Sequence, residues 1–269
     1  MPIEVGREVR VLSEEEFLRI AYAVTGVAFA LHKEYGSLFA EKLYKVEMAA
    51  ECRKLGLPPV EFELPIVVSR HDFRKDYFAD LLVGGGALIE LKALAALTEE
   101  HRAQTLHYLF LTGLNRAKLI NLGGASVQHE FVSTTLTPAQ RRCLNVQADR
   151  WHATGEASLR FHELLRELLA DWGGFLQLPL YYDAVSHFFG GPDRVIQDIP
   201  VVRDGHPVTT QRVHLLDPTT AFKLTALGSG LDTLEQHLHR FLRHTQLDAI
   251  HWVNLHHHDV TFTTLIRTK

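Results

Sequence analysis

Residues 78–92, with the sequence Phe-Ala-Asp-Leu-Leu-Val-Gly-Gly-Gly-Ala-Leu-Ile-Glu-Leu-Lys, constrain this chain more than any other stretch. Two short apolar runs flank three consecutive glycines, and this pattern predicts a β-hairpin whose turn is free to take positive φ. Asp80 lies inside the first run, whereas Glu90 and Lys92 lie two residues apart on the second and project from one face of the strand. A buried charge is costly unless it is paired or bound to a metal. The hairpin therefore needs a reason to carry three charged groups.

One explanation is a site for a divalent cation. Asp80 and Glu90 offer the hard oxygen ligands that Mg²⁺ or Mn²⁺ prefers, and Lys92 beside them could steer a water or offset the charge of a phosphate. The other explanation is an ordinary solvent-facing strand, with Glu90 and Lys92 as its polar positions and Asp80 near a strand end. Spacing alone leaves both open, because an Asp followed by Glu-x-Lys is short and common.

A resemblance to a known family favours the cation site. Asp80, followed ten residues later by Glu90-x-Lys92, resembles the core of the PD-(D/E)xK nuclease superfamily. Residues 36–44, Gly-Ser-Leu-Phe-Ala-Glu-Lys-Leu-Tyr, resemble the signature of its GxxExxY group, although the glutamate lies five residues after the glycine. Gln104 lies in a segment that resembles the glutamine-containing helix of the superfamily. The order of these motifs is more specific than any one of them.

The resemblance implies an α/β fold in which a restriction-endonuclease-like mixed sheet is flanked by helices. It implies hydrolysis of a nucleic-acid phosphodiester, with DNA as the favoured substrate, at an Mg²⁺ or Mn²⁺ site. The implied site consists of Lys92 and Gln104 as catalytic residues and of the metal ligands Asp80, Glu90, Glu41 and the backbone carbonyl of Leu91. Glu41 has an alternative role, since a carboxylate in the first helical turn is favoured by the helix dipole. Gln104 has one too, as an interior residue with a satisfied polar group.

The second half of the chain reads like the first half again. Tyr181 lies eight residues after Gly173, as Tyr44 lies eight residues after Gly36. Further echoes follow in the same order, among them Gln236 for Gln104. Agreement in this order predicts an internal duplication. We therefore expect a nuclease-like domain at 1–137, a linker or connecting helix at 138–157 and a degenerate repeat at 158–269, docked on each other as an intramolecular pseudo-dimer.

The second copy is predicted to lack the site. The alignment pairs the site residues with apolar or neutral ones: Glu41 with Leu178, Asp80 with His214, Glu90 with Phe222 and Lys92 with Leu224. Because no carboxylate remains at a ligand position, this copy is expected to serve as a structural partner.

Composition narrows the class of protein. The chain has 269 residues and only two cysteines, which suits a reducing cytoplasm and provides no disulfide framework. No apolar run of about 18 residues occurs, so no membrane partner is expected. The net charge of −4 argues against strong nonspecific binding of long DNA. A catalytically inactive binding module with the same fold, or a hydrolase of another phosphate ester, stays open beside the nuclease.

Overall fold

The computed structural model describes residues 2–268 and divides into two compact units, Met1–Pro138 and Ala139–Lys269, here called unit 1 and unit 2. Each unit contains a six-stranded mixed sheet with helices packed on it. The α/β class expected from the sequence is therefore present in both. No helix among residues 2–268 combines the length and the apolar character needed to cross a membrane.

Unit 1 has its strands in the spatial order β1-β2-β3-β4-β5-β6. Strands β4 and β5 are parallel, and every other neighbouring pair is antiparallel. Its elements are β1 (Ile3–Val5), α1 (Glu14–Tyr35), α2 (Glu41–Lys54), β2 (Val60–Arg70), β3 (Phe73–Val83), β4 (Ala87–Lys92), α3 (Glu99–Thr112), β5 (Arg116–Asn121) and β6 (Gln128–Ser133).

Unit 2 has the order β7-β12-β11-β10-β9-β8, with β10 parallel to β11 and β12 parallel to β7. Five of its strands, β8 to β12, therefore repeat the order and the directions of β2 to β6. Its elements are a 3₁₀ turn (Gln140–Arg142), β7 (Asn145–Arg150), α4 (Glu156–Trp172), α5 (Leu178–Phe188), α6 (Pro192–Val195), β8 (Ile196–Arg203), β9 (His206–Asp217), β10 (Thr220–Thr225), α7 (Leu231–Arg243), β11 (Ala249–His256) and β12 (Asp259–Ile266).

The glycine hairpin forms as its sequence predicts, and it joins β3 to β4. Gly84 and Gly85 take φ values of +62° and +71°, which side chains with a Cβ rarely adopt. A Cβ on Gly86 would lie 2.2 Å from the carbonyl oxygen of Arg10, so close approach of the backbone excludes a side chain there. The three glycines thus fix the relative position of the two strands that carry the charged residues.

Helices α1 and α2 cover one face of this sheet. Ser13 precedes α1 and forms a capping box with Glu16. The Ser13 hydroxyl accepts a hydrogen bond from the Glu16 N–H, and the Glu16 carboxylate accepts one from the Ser13 N–H. The apolar stripe of the helix then packs with Met48 of α2 on strand residues such as Leu81 and Ile89. Since side chains alternate along a strand, the neighbouring residues of β3 and β4 project from the other face.

The connecting segment expected at 138–157 differs from the prediction. Residues Asn145–Arg150 form β7, which pairs in parallel with β12 and belongs to the sheet of unit 2. Both faces of this strand are largely exposed, so it carries no alternation of apolar and polar residues. Hydrophobic pattern cannot reveal a strand of that kind.

Candidate active site at the fork of strands β3 and β4

Strands β3 and β4 separate where the charged residues begin. Their ladder has three residue pairs, from Val83–Ala87 at the turn to Leu81–Ile89, and the next residues along each strand are Asp80 and Glu90. Beyond this point β4 stays paired only with β5 on its other side, as far as Lys92. We call the resulting gap the unit 1 fork. It exposes the backbone of β4 to side chains, and one Asp80 carboxylate oxygen, Oδ2, accepts the Leu91 N–H at 2.7 Å.

Glu90 and Lys92 form a buried ion pair in this fork. The Lys92 ammonium lies 2.8 Å from Glu90 Oε1, and the two side chains are 8% and 2% exposed. Glu90 Oε2 is buried and has no hydrogen-bond partner among residues 2–268. Burial raises the pKa of Glu90 to about 7, the charge of Asp80 adds to the rise, and Lys92 opposes it. The site thus holds a carboxylate with an unused oxygen.

Lys45, on α2, is the functional candidate that the sequence did not single out. Its ammonium lies 2.6 Å from Asp80 Oδ1 and 2.6 Å from Glu41 Oε1. Burial raises the pKa of Asp80, although the contacts with Lys45 and Leu91 oppose the rise. Burial also acts to lower the pKa of Lys45, but the hydrogen bonds to Asp80 and Glu41 outweigh it and the pKa is raised overall. Lys45 therefore holds its proton firmly, and its contact favours the ionised form of Asp80.

The expected three-carboxylate cage is not present in this arrangement. In the part of the chain that the structure describes, no three Asp, Glu, His or Cys side chains are grouped closely enough to hold a metal ion. The Lys45 ammonium contacts both Glu41 and Asp80. Asp80, Glu90, Leu91 and Lys92 meet at the fork, and Glu41 is linked to Asp80 through this lysine.

Helix α3 covers the fork with Gln104 and Tyr108. The Gln104 amide donates to the Tyr108 hydroxyl at 3.2 Å, one helical turn away. Burial raises the pKa of Tyr108 to about 12, and the nearby charges of Glu90 and Asp80 contribute. This hydroxyl therefore keeps its proton and can donate a hydrogen bond. Gln104 itself is half-buried.

The oxygen atoms at the fork are of the kind that binds a hard divalent cation. Mg²⁺ prefers carboxylate and carbonyl oxygens and keeps several waters, so it needs only one or two protein carboxylates. Glu90 Oε2 is unused, and Asp80 Oδ1 is held by an amine on a flexible stem. The N–H and C=O of one strand residue point to the same side, so the Leu91 carbonyl faces the gap into which its N–H donates. Movement of one lysine would free these oxygens.

Matching hydrogen bonds define which residues of unit 2 correspond to the site. The Asn121 amide bonds both the N–H and the C=O of Leu94, and the Asn254 amide bonds both groups of Leu227. Each unit also has a tyrosine that donates to the carbonyl of the glycine eight residues earlier, Tyr44 in unit 1 and Tyr181 in unit 2. At the end of the last helix of each unit, Thr112 and Thr245 donate to the carbonyls of Tyr108 and Phe241.

These anchors shift the predicted pairings of the strands by one residue. Since Asn121 pairs with Lys92 and Asn254 with Thr225, Lys92 corresponds to Thr225 rather than Leu224. By the same offset, Glu90 corresponds to Lys223 rather than Phe222. The strand ladders match Asp80 with Val213 rather than His214. The threonine bonds match Gln104 with His237 rather than Gln236. The tyrosine bonds match Glu41 with Leu178, as expected. A shift of one residue changes the face of the strand, but carboxylates are absent from these positions in either alignment.

Comparison with known proteins places unit 1 near one group of enzymes. A family model described as the PD-(D/E)XK nuclease superfamily matches residues 18–133, which include every residue of the fork. No curated protein matches the chain. A solved structure described as "Crystal structure of SSO0001" is 13% identical with a TM-score of 0.29, and the match covers 48% of this chain and 81% of that one. With so low a score, this likeness carries no argument, and the superfamily match indicates a nuclease type of function.

Proposed function

We propose that unit 1 is a nuclease that depends on a divalent cation and hydrolyses phosphodiester bonds of nucleic acid, with DNA as the favoured substrate. The observation that carries the proposal is the buried group of Asp80, Glu90 and Lys92 at the fork, with one oxygen of Glu90 left without a partner. Burying two carboxylates raises the free energy of the folded protein, because the charged groups lose their hydration. A cation bound to them would offset this cost. The superfamily match over residues 18–133 supports the same class of enzyme.

Asp80, Glu90 and the Leu91 carbonyl would hold Mg²⁺ or Mn²⁺. When bound there, the ion would supply Lewis acidity and would make a bound water more acidic than bulk water. Lys45 would leave Asp80 and keep its pairing with Glu41, which lies one helical turn away. In this proposal Glu41 positions Lys45 and is not itself a ligand.

The remaining residues act on the substrate phosphate. Lys92 is buried on β4 beside Glu90, so water screens its ammonium only weakly. The ammonium therefore stabilises negative charge on a phosphate strongly. Tyr108 retains its proton and donates a hydrogen bond toward the carboxylates or the phosphate. Gln104 orients the Tyr108 hydroxyl.

We further propose that unit 2 arose by tandem duplication of unit 1. The support is the common order and direction of five strands together with the repeated asparagine, tyrosine and threonine hydrogen bonds. Because unit 2 lacks carboxylates at the positions of Asp80 and Glu90, it provides no second hydrolytic site.

The test is cleavage of labelled DNA and RNA oligonucleotides during titration with Mg²⁺ or Mn²⁺. Asp80→Asn and Glu90→Gln are expected to abolish cation-dependent cleavage. Asp76→Asn is the matched control, since Asp76 is exposed on the same strand outside the fork. Equal cleavage by the wild type and by Glu90→Gln would refute the assignment.

One observation favours a second candidate, a nuclease fold that binds without catalysis. Lys45 already neutralises Asp80, as a fixed replacement for a cation would. Under this candidate, neither Mg²⁺ nor Mn²⁺ changes the melting temperature, and oligonucleotides bind without being cut. Under the nuclease proposal, the cation raises the melting temperature of the wild type but not that of Asp80→Asn.

A further inference from the structure

Unit 2 has a cavity at the place that corresponds to the unit 1 fork. The β9–β10 ladder also has three residue pairs and ends at His214–Phe222, as the β3–β4 ladder ends at Leu81–Ile89. The next residues, Val213 and Lys223, line a cavity of about 340 Å³ between the separating strands. We call it the unit 2 cavity. Its volume lies within the range of small-ligand sites.

The charge of this cavity is opposite to that of the unit 1 fork. Lys223 and Arg212 line it, and no acidic residue does. Neither of these two side chains forms a salt bridge with any residue from 2 to 268. Burial lowers the pKa of His214, the charges of Lys223 and Arg212 add to this, and Asp183 opposes it. The two cations therefore act on one small volume, where an anion is favoured.

One wall of the cavity is aromatic and rigid. The Tyr182 and His214 rings have centroids 4.5 Å apart, and Phe222 lies 5.5 Å from Tyr182. The Tyr182 hydroxyl donates to the Leu224 carbonyl and accepts the Leu224 N–H at 2.8 Å. Helix α7 contributes His237 and the half-buried ring of Phe241 to the same lining. Flat aromatic rings in the lining suit a planar ligand.

Tyr182 binds the exposed strand N–H of unit 2, as Asp80 binds the exposed strand N–H of the unit 1 fork. In unit 1 the strand N–H exposed in the fork, that of Leu91, is bound by the Asp80 carboxylate. The corresponding N–H of Leu224 is bound by the Tyr182 hydroxyl, and Tyr182 follows Tyr181 as Lys45 follows Tyr44. A neutral hydroxyl thus replaces a carboxylate and its lysine, and the backbone group stays satisfied. No carboxylate therefore contacts the exposed N–H at this position of unit 2.

We propose that the unit 2 cavity binds a nucleotide, with its phosphate on Lys223 and Arg212 and its base against the aromatic rings. Phosphate recognition by cations and stacking of a base on aromatic side chains are the two interactions that such a ligand needs. The nucleotide is either a free nucleoside monophosphate or one unit of a nucleic-acid strand. This is a binding site separate from hydrolysis, and it does not depend on unit 1 being active.

The experiment measures binding by the full-length protein in EDTA, so that no divalent cation contributes. The probes are AMP and inorganic phosphate, whose binding is measured by calorimetry, and a fluorescent six-nucleotide DNA, whose binding is measured by fluorescence anisotropy. Lys223→Gln is expected to weaken nucleotide binding about tenfold, the loss of one charge-assisted contact. Phe241→Leu is expected to weaken binding of AMP or DNA by a similar factor and to leave binding of phosphate unchanged, since only stacking is removed.

Two controls keep the outcome independent of the nuclease. Arg243→Gln removes an exposed cation from the same helix outside the cavity and is expected to bind as the wild type does. Asp80→Asn, which disables the unit 1 fork, is expected to bind AMP normally. Binding of AMP identifies a free nucleotide as the ligand, and binding of DNA alone identifies a strand. Absence of binding by both probes, or binding that Lys223→Gln and Phe241→Leu do not weaken, overturns the proposal.

Discussion

The Lys45 ammonium lies 2.6 Å from Asp80 Oδ1, in the place where a cation would neutralise that carboxylate. Lys45 and Asp80 belong to different elements, and the contact exists because α2 packs against the sheet beside the end of the β3–β4 ladder. The same lysine also contacts Glu41. It therefore links a helix carboxylate to a strand carboxylate and opposes the rise that burial causes in the pKa of Asp80.

Lys45→Met is expected to destabilise the metal-free protein and to increase its response to Mg²⁺. Loss of the ammonium leaves Asp80 buried without its strongest partner, which costs on the order of 2 kcal/mol, since Lys45 is partly exposed. Mg²⁺ no longer competes with the lysine, so it should raise the melting temperature of the variant more than that of the wild type. Differential scanning fluorimetry with a Mg²⁺ series measures both effects.

Lys42→Met provides the control for this variant, because Lys42 is exposed on the same helix. It should melt as the wild type does, with and without Mg²⁺. A Lys45→Met protein that responds to Mg²⁺ no more than the wild type would show that the lysine does not compete for the cation position.

The stability of the metal-free protein should depend on the protonation of Glu90. The folded pKa of Glu90 is raised from 4.5 to about 7, so between these values the folded state binds more protons than the unfolded state. The free energy of unfolding therefore rises as the pH falls from 7 toward 4.5, and this contribution is lost as the pH rises. Its size is up to a few kcal/mol.

Urea denaturation in EDTA at several pH values isolates this contribution when the wild type is compared with Glu90→Gln. Glutamine does not titrate, so the difference in stability between the two proteins should favour the variant more strongly at pH 8 than at pH 5. If the difference is the same at both pH values, Glu90 does not titrate as its burial indicates.

Lys92→Met is expected to reduce cleavage about 100-fold or more while leaving cation binding in place. The ammonium acts on the phosphate, whereas the ligand oxygens belong to Asp80, Glu90 and the backbone. Single-turnover cleavage at saturating Mg²⁺ gives the rate, and the Mg²⁺-induced rise in melting temperature reports binding. Loss of the thermal response together with cleavage would mean that Lys92 supports the site rather than the chemistry.

Asn121→Ala and Asn254→Ala should each loosen the loop that follows the central strand of their own unit. Each asparagine bonds both backbone groups of a leucine in that loop, so its loss leaves partly buried polar groups without these partners, at a cost of about 1 kcal/mol. Hydrogen exchange followed by mass spectrometry should show faster exchange at residues 92–97 for the first variant and at 225–230 for the second. Identical exchange in wild type and variants would contradict the role of these anchors.

Local sequence patterns were enough for much of the architecture. The glycine triplet predicts the hairpin between β3 and β4, and the capping box that begins α1 joins Ser13 and Glu16, three residues apart. Each of these features depends on residues close together in the chain, where turn chemistry, capping and periodicity act directly. Strand β7 escaped prediction because its exposed residues carry no such pattern.

The spacing of Asp80, Glu90 and Lys92 also brought the right side chains to one hairpin, since a strand's period of two fixes which residues share a face. The sequence contained the clue to Lys45 as well, four residues after Glu41, but that spacing occurs on many helices. Its contact with Asp80 joins residues 35 positions apart. No local pattern encodes that distance.

The sequence by itself thus determined the hairpin, the helices and the charged residues that share a strand face, because these follow from backbone geometry over a few residues. Tertiary structure alone decided that Lys45 contacts both Glu41 and Asp80, that Glu90 keeps an unused oxygen, and that Lys223 and Arg212 line one cavity in unit 2. These outcomes depend on how elements pack and on where a strand ladder ends. A difference of one residue or a few ångströms there changes which charges meet.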